Sequence, residues 1–110
     1  MIRHNGHIWA QHTEHATRWH QRLRGLLGRP HLPDSTAMII HHCNAIHTIG
    51  MRFPIDVVFV DKQGKVLKVA TNIPPGHPCI WGTWHATHAI ETHAGKLDTQ
   101  TLHPGDHLEF

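Results

Sequence analysis

The segment Ile55-Asp-Val-Val-Phe-Val60 constrains this chain more than any other. Its β-branched and aromatic content marks a strand. Successive strand residues point to opposite faces, so Ile55, Val57 and Phe59 share one face and Asp56, Val58 and Val60 the other. Both faces are apolar apart from Asp56. Such a strand belongs inside a sheet that is covered on both sides. Pro54 pins its entry, and Asp61-Lys-Gln-Gly64 reads as a turn with Gly64 suited to positive φ. Residues 65–73 then return as the hairpin partner.

The rest of the pattern is built of short pieces. His7 to Ala10 alternates weakly, as a first strand would. Thr13 is placed as an N-cap, and Ala16, Trp19, Leu23, Leu26 and Leu27 fall at helical spacing. This predicts one helix over about 14–25, with Trp19 on its core stripe, ended by Gly25, Gly28 and Pro30. Ala37-Met-Ile-Ile40, Ala45-Ile46, residues 86–92 and 107–110 read as further strands, and Pro74 to Pro78 as a loop. The expected class is α+β: a β-rich single domain over 1–110, a small partly closed barrel or sandwich of about six or seven strands with one N-terminal helix.

At 110 residues the chain can bury one core without staples. Hydrophobic content is low, at 39%, but it is gathered into runs, which argues against disorder. The N-terminus lacks the apolar stretch of a secretory signal, and no run nears the ~18 residues of a membrane span. A cytoplasmic location without a membrane span is therefore expected, with Cys43 and Cys79 reduced. Fifteen histidines against a formal charge of +2 are the compositional oddity. Mild acid would add up to fifteen positive charges. Spread from His4 to His107, they read as solvated-face substitutions rather than one ligand cluster.

Two carboxylates stand in strand positions where charge is costly. Asp56 must pair or reach solvent. The plainer reading is that it locks a turn through backbone N–H groups or an arginine such as Arg24 or Arg52; the functional one is a ligand-binding acid or general base. Glu91, in His88-Ala-Ile-Glu-Thr-His93, poses the same choice, its plainer reading being a salt bridge to Arg18, Arg22 or Arg24. If the two acids converged they would resemble the pair that glycoside cleavage needs. His41, His42, Cys43, His47, His77 and Cys79 match no established metal-ligand spacing, so no metal or other cofactor is expected. A Cys43–His47 nucleophile pair would need a lowered thiol pKa, and Cys43 reads better as a small buried hydrophobe. Nucleotide and dinucleotide motifs and the Ser-hydrolase elbow are missing. Arg18, Arg22, Arg24 and Arg29, with 6% aromatic residues, read as a solvated or salt-bridged face and not as a nucleic-acid surface.

Arg22-Leu-Arg-Gly-Leu-Leu27, Ala37-Met38, Pro54-Ile-Asp-Val-Val-Phe-Val-Asp61, Gly64-Lys-Val66, Glu91, Ala94-Gly95 and Gly105-Asp106 occur in the order of one family. On these residues the chain resembles the bacterial and archaeal "domain of unknown function 192" over about 8–110. The resemblance implies a compact β-rich domain with a short helix near its start, and no activity. Many relatives carry an export signal or lipid anchor. The commoner pattern there has Trp-Met-x-Asn-Thr before Pro-Leu-Asp. Here Ile46-His-Thr-Ile-Gly-Met-Arg-Phe-Pro-Ile-Asp56 stands in its place, as in a variant branch.

Four functions follow as expectations. The first is a polar pocket of Arg24, His47, Thr48, Arg52, Asp56 and Glu91 that holds a small ligand, peptide or sugar fragment. The second is a hydrolase using Asp56 or Glu91 with His47. The third is a protein-interaction module of envelope or pilus assembly, with exposed Trp81 or Trp84. The fourth is metal binding through histidine. The pattern fixes no oligomeric state.

Overall fold

The computed structural model describes residues 1–95 and 102–110. Among them are ten strands and one helix: β1 (Ile2–His4), β2 (His7–Ala10), β3 (His12–Ala16), α1 (Trp19–Arg24), β4 (Thr36–His41), β5 (Ala45–Ile46), β6 (Ile55–Val60), β7 (Val66–Ile73), β8 (Ile80–Trp81), β9 (His88–His93) and β10 (Leu108–Glu109). A five-stranded sheet runs β3-β4-β9-β6-β7; β10-β1-β2 form a second sheet and β5-β8 a short ribbon. The result is a β-rich layered domain, not a closed barrel. No helix of the described residues is long and apolar enough to cross a membrane.

The double apolar face of β6 is explained by two cores, one on each side of the large sheet. Ile55, Val57 and Phe59 join Met38, Ile40, Ala89 and Leu26 in one. Val58 and Val60 join Ile39, Ile90, Ile2, Trp9 and Leu108 from the small sheet in the other. Every residue of β6 is buried, as are the four central residues of β9. Gly64 turns the β6–β7 hairpin at φ +83°, and a methyl there would run into the backbone carbonyl of Leu108. The turn and the closing strand β10 therefore require glycine at this position.

The expected helix over 14–25 is shorter, and its beginning is a strand. His12 to Ala16 pairs in parallel with Thr36 to Ile40, so Thr13 lies opposite Ala37 and caps nothing. Parallel neighbours need a crossover of a dozen or more residues, and α1 lies within that connection. The stripe that looked helical is split: Ala16 and Leu26 are buried, whereas Trp19 and Leu23 are 68% and 64% exposed. With six residues and none buried, α1 is a lid segment and not a core helix. Gln21 Oε1 accepts the N–H groups of Thr17 and Arg18 at its start. Gly25, at φ 47°, ends it. Arg29 makes a bidentate pair with Glu14 at 2.8 and 3.0 Å, tying the crossover to the edge strand.

Asp56 belongs to this framework. Its Oδ1 accepts the N–H of Asn72 at 2.7 Å, where β7 bulges, and its Oδ2 accepts the N–H of Gly95 at 3.2 Å, just past β9. Asn72 stands at φ 52°, in the left-handed region. The carboxylate thus joins a bulge and a strand exit that the ladders leave open. Replacing it strands buried donors. Asp56→Ala is expected to cost about 2–4 kcal/mol in urea unfolding. A loss below about 0.5 kcal/mol, the range of ordinary surface substitutions, would contradict this role.

Candidate functional site

Glu91 occupies the middle of β9, the central strand of the large sheet. It pairs with Met38 on β4 and Val57 on β6. Residues directly opposite one another share a face, so its carboxyl enters the core that Met38 and Val57 line. It is 2% exposed. It forms no ion pair with Arg18, Arg22 or Arg24, and among the described residues its carboxyl has no hydrogen-bond partner on the protein. Burial alone pushes its pKa up to about 8, so the side chain is chiefly a neutral acid at pH 7.

This acid is not sealed in. It lines an open cavity of about 150 Å³ together with Arg22, Arg24, Gly25, Cys43, His47 and Met51. The wall includes Leu26, Ile40 and Ile46, and the space suits several waters or a ligand of a few heavy atoms. The glycine turn after α1 crosses directly over the carboxyl: a methyl on Gly25 would lie 3.6 Å from Glu91 Oε1. Arg22, half-buried on α1, leaves its Nε buried without a hydrogen-bond partner. Arg24 and His47 are exposed at the mouth. Leu23, also exposed, extends the rim.

Cys43 sits half-buried in the same cavity, and its thiol donates to the Ala45 carbonyl at 3.0 Å. Burial raises its pKa, opposed by that hydrogen bond; the Glu91 charge raises it further and Arg22 lowers it. A thiol held protonated is a poor nucleophile. The Cys43–His47 pair therefore lacks the activation that attack requires. Both Cys43 and Cys79 are free thiols.

Of the six expected site residues, Arg24, His47 and Glu91 meet in this cavity. Thr48 lies just beneath it as a fully buried clamp. Its hydroxyl donates to Pro74 O at 2.7 Å and accepts the N–H of His77 at 2.8 Å. Its carbonyl takes the N–H groups of Met51 and Gly76. Thr48 thus fixes the loop that carries His47. Arg52 is exposed and does not line the cavity. Asp56 pairs with Thr92, one position from the Val57–Glu91 pair, so the two acids project from opposite faces of the sheet. Arg22 and Cys43 complete the group. Arg22 had the sequence signal of the Arg22-Leu-Arg24 run, but nothing local shows that its Nε is buried.

Three of the fifteen histidines meet in one place. His15 Nδ1 lies 2.9 Å from His41 Nε2, and the His41 and His88 rings meet edge to face at 4.8 Å. Burial, and then repulsion from neighbouring histidines, lowers the pKa of His41 and of His88. Among the described residues, however, no group of three or more His, Cys, Asp or Glu side chains is arranged to hold a metal ion. Trp81 and Trp84 pack edge to face at 5.0 Å, with Trp84 83% exposed, and neither lines the cavity.

Two solved structures share this architecture. A protein of unknown function from Novosphingobium aromaticivorans DSM 12444 superposes with a TM-score of 0.79 at 22% identity, over 89% of this chain and 74% of the other. A protein from Sinorhizobium meliloti 1021, described provisionally as a transcription regulator, gives 0.77 at 22% identity, over 88% and 79%. At that identity the likeness is one of fold. No curated protein matches the sequence. The family profile described as "Uncharacterized ACR" matches residues 1–110 in full, and the chain belongs to that family, domain of unknown function 192 (DUF192).

Proposed function

We propose that this protein is a small-ligand-binding domain whose site is the cavity between α1, the segment 43–51 and β9. One observation carries the reading: Glu91, a buried acid without a protein partner among the described residues, forms part of a cavity that opens to solvent. A buried ionisable group that serves packing alone is normally paired. One that is unpaired, shifted in pKa and set in a cleft is the kind of group that functional sites contain. In this reading Arg24 and His47, which line the cavity with Arg22 and Cys43, take part in binding, and Thr48 and Asp56 support the site as scaffold.

Hydrolysis by paired carboxylates is the weaker reading. Asp56 and Glu91 face opposite sides of the sheet, and Asp56 is engaged by two backbone N–H groups. The binding reading is tested by adding small polar fragments to the ¹⁵N-labelled chain. Hits are expected to shift the amide signals of Gly25, Cys43, His47 and Glu91 together. Fragments that leave all four unmoved would overturn it.

The buried acid also has a signature in stability. Its folded pKa lies above its unfolded value of about 4.5, so the folded state holds the proton more tightly. That contribution is complete below pH 4.5 and is lost as pH rises to about 8. Glu91→Gln stays neutral throughout. Relative to this variant, the wild type is expected to lose a few kcal/mol of unfolding free energy between pH 5 and pH 8 and then level off. Subtracting the variant's curve removes the histidine titrations common to both. Parallel curves would contradict a neutral Glu91.

A further inference from the structure

We infer that the ligand of this cavity is a small aliphatic carboxylate, held between the guanidinium of Arg22 and the carboxyl of Glu91, which line it together. This rests on the binding reading above and names the chemical class the site takes.

The groups around the cavity are mostly donors. Arg22 has five N–H groups and no acceptor, and its buried Nε has no partner. Glu91 in its neutral form supplies one O–H, and its carboxyl has no partner on the protein among the described residues. A buried donor without an acceptor costs about 1–3 kcal/mol; an oxygen that enters the cavity meets instead the guanidinium of Arg22 and the carboxyl of Glu91, both of which line it. One planar carboxylate offers two oxygens, one for each donor. Arg22 makes a charge-assisted bond to it, and Glu91 shares its proton with the other oxygen.

Charge excludes the opposite choice. Arg22 and Arg24 from α1 face the cavity, with His47 beside them. Cys43 is held as a thiol, β9 adds His93 two residues beyond Glu91, and β4 and β6 present Met38, Ile40 and Val57, which do not titrate. A ligand ammonium would lie among arginines. A phosphate dianion would demand more donors than the apolar wall of Leu26, Ile40, Ile46 and Met51 leaves open. That wall suits the methylenes of a short aliphatic chain.

The proton on Glu91 is then part of the site. Once it is lost, a carboxylate faces a carboxylate in a buried position, and binding fails. Affinity is therefore expected to fall as pH rises past the point at which Glu91 ionises.

The probe is butyrate, titrated into the full ¹⁵N-labelled chain beside butylamine, butyramide and inorganic phosphate. Butyrate is expected to shift the signals of Gly25, Cys43 and Glu91, with Kd rising about tenfold between pH 7 and pH 9. Glu91→Gln, whose amide N–H₂ still donates, is expected to bind without that pH step. Arg22→Met, a change on a half-exposed helix, is expected to weaken binding at least tenfold at pH 7. Shifts at the cavity from butylamine, butyramide or phosphate, with butyrate inert, would overturn the carboxylate class and leave the binding reading standing. A pH-independent Kd for butyrate would overturn the role of Glu91. Silence from all four probes overturns the carboxylate assignment. The binding reading falls as well only if the wider fragment screen is silent.

Discussion

The pairing of β6 with β9 governs the rest of this molecule. Six residue pairs run from Ile55–His93 to Val60–His88, in strands buried on both faces. That double burial calls for two covering layers. The small sheet of β1, β2 and β10 supplies one, and the segment after α1, with Leu26 and Leu32, together with the segments around β5 and β8 supplies the other. The parallel edge pair β3–β4 has the same origin, because a chain that must place a helix on one face between two strands makes a crossover. The cavity lies beneath this second layer, lined by α1, the turn after it and the segment 43–51. There a helix of six residues and a glycine turn pass over the central strand.

Within this frame two acids of almost equal burial have different fates. Asp56 and Glu91 are 3% and 2% exposed. Asp56 lies near the end of its strand, where a bulge and a turn offer free N–H groups. Its two oxygens accept backbone N–H groups, and it tightens the sheet. Glu91 lies mid-strand, where the ladders on both sides consume the backbone groups. No backbone donor is left for it, and burial favours its protonated form instead. Retaining such a residue in a core strand costs stability at neutral pH that a hydrophobic residue would not. The open cavity beside it gives that cost a functional sense.

Much of the fold was legible in the sequence. Ile55 to Val60 showed its two faces, the Asp61–Gly64 turn fixed the hairpin, and Glu91 stood out as an acid in an apolar strand. The helix start was not legible. Ala16 opens an apolar series at helical spacing, but the pairing of His12–Ala16 with β4 overrides it, and that pairing spans the whole crossover. Trp19 was misplaced for the same reason: the stripe presumes a helix long enough to lie on the core. The separation of Asp56 from Glu91 depends on the β6–β9 register, which no local pattern encodes. Arg22 was seen only as one of several arginines, because the burial of one nitrogen is a tertiary fact.

The central claim is that Glu91 is a neutral acid in a solvent-open cavity. Selective ¹³C labelling of glutamate carboxyls, followed by NMR titration, reads its protonation directly. Glu91→Gln identifies its signal. The account predicts a midpoint near 8 for that carboxyl. A midpoint in the ordinary carboxylate range, near 4.5, would mean that Glu91 is charged at neutral pH and would remove the basis of the site.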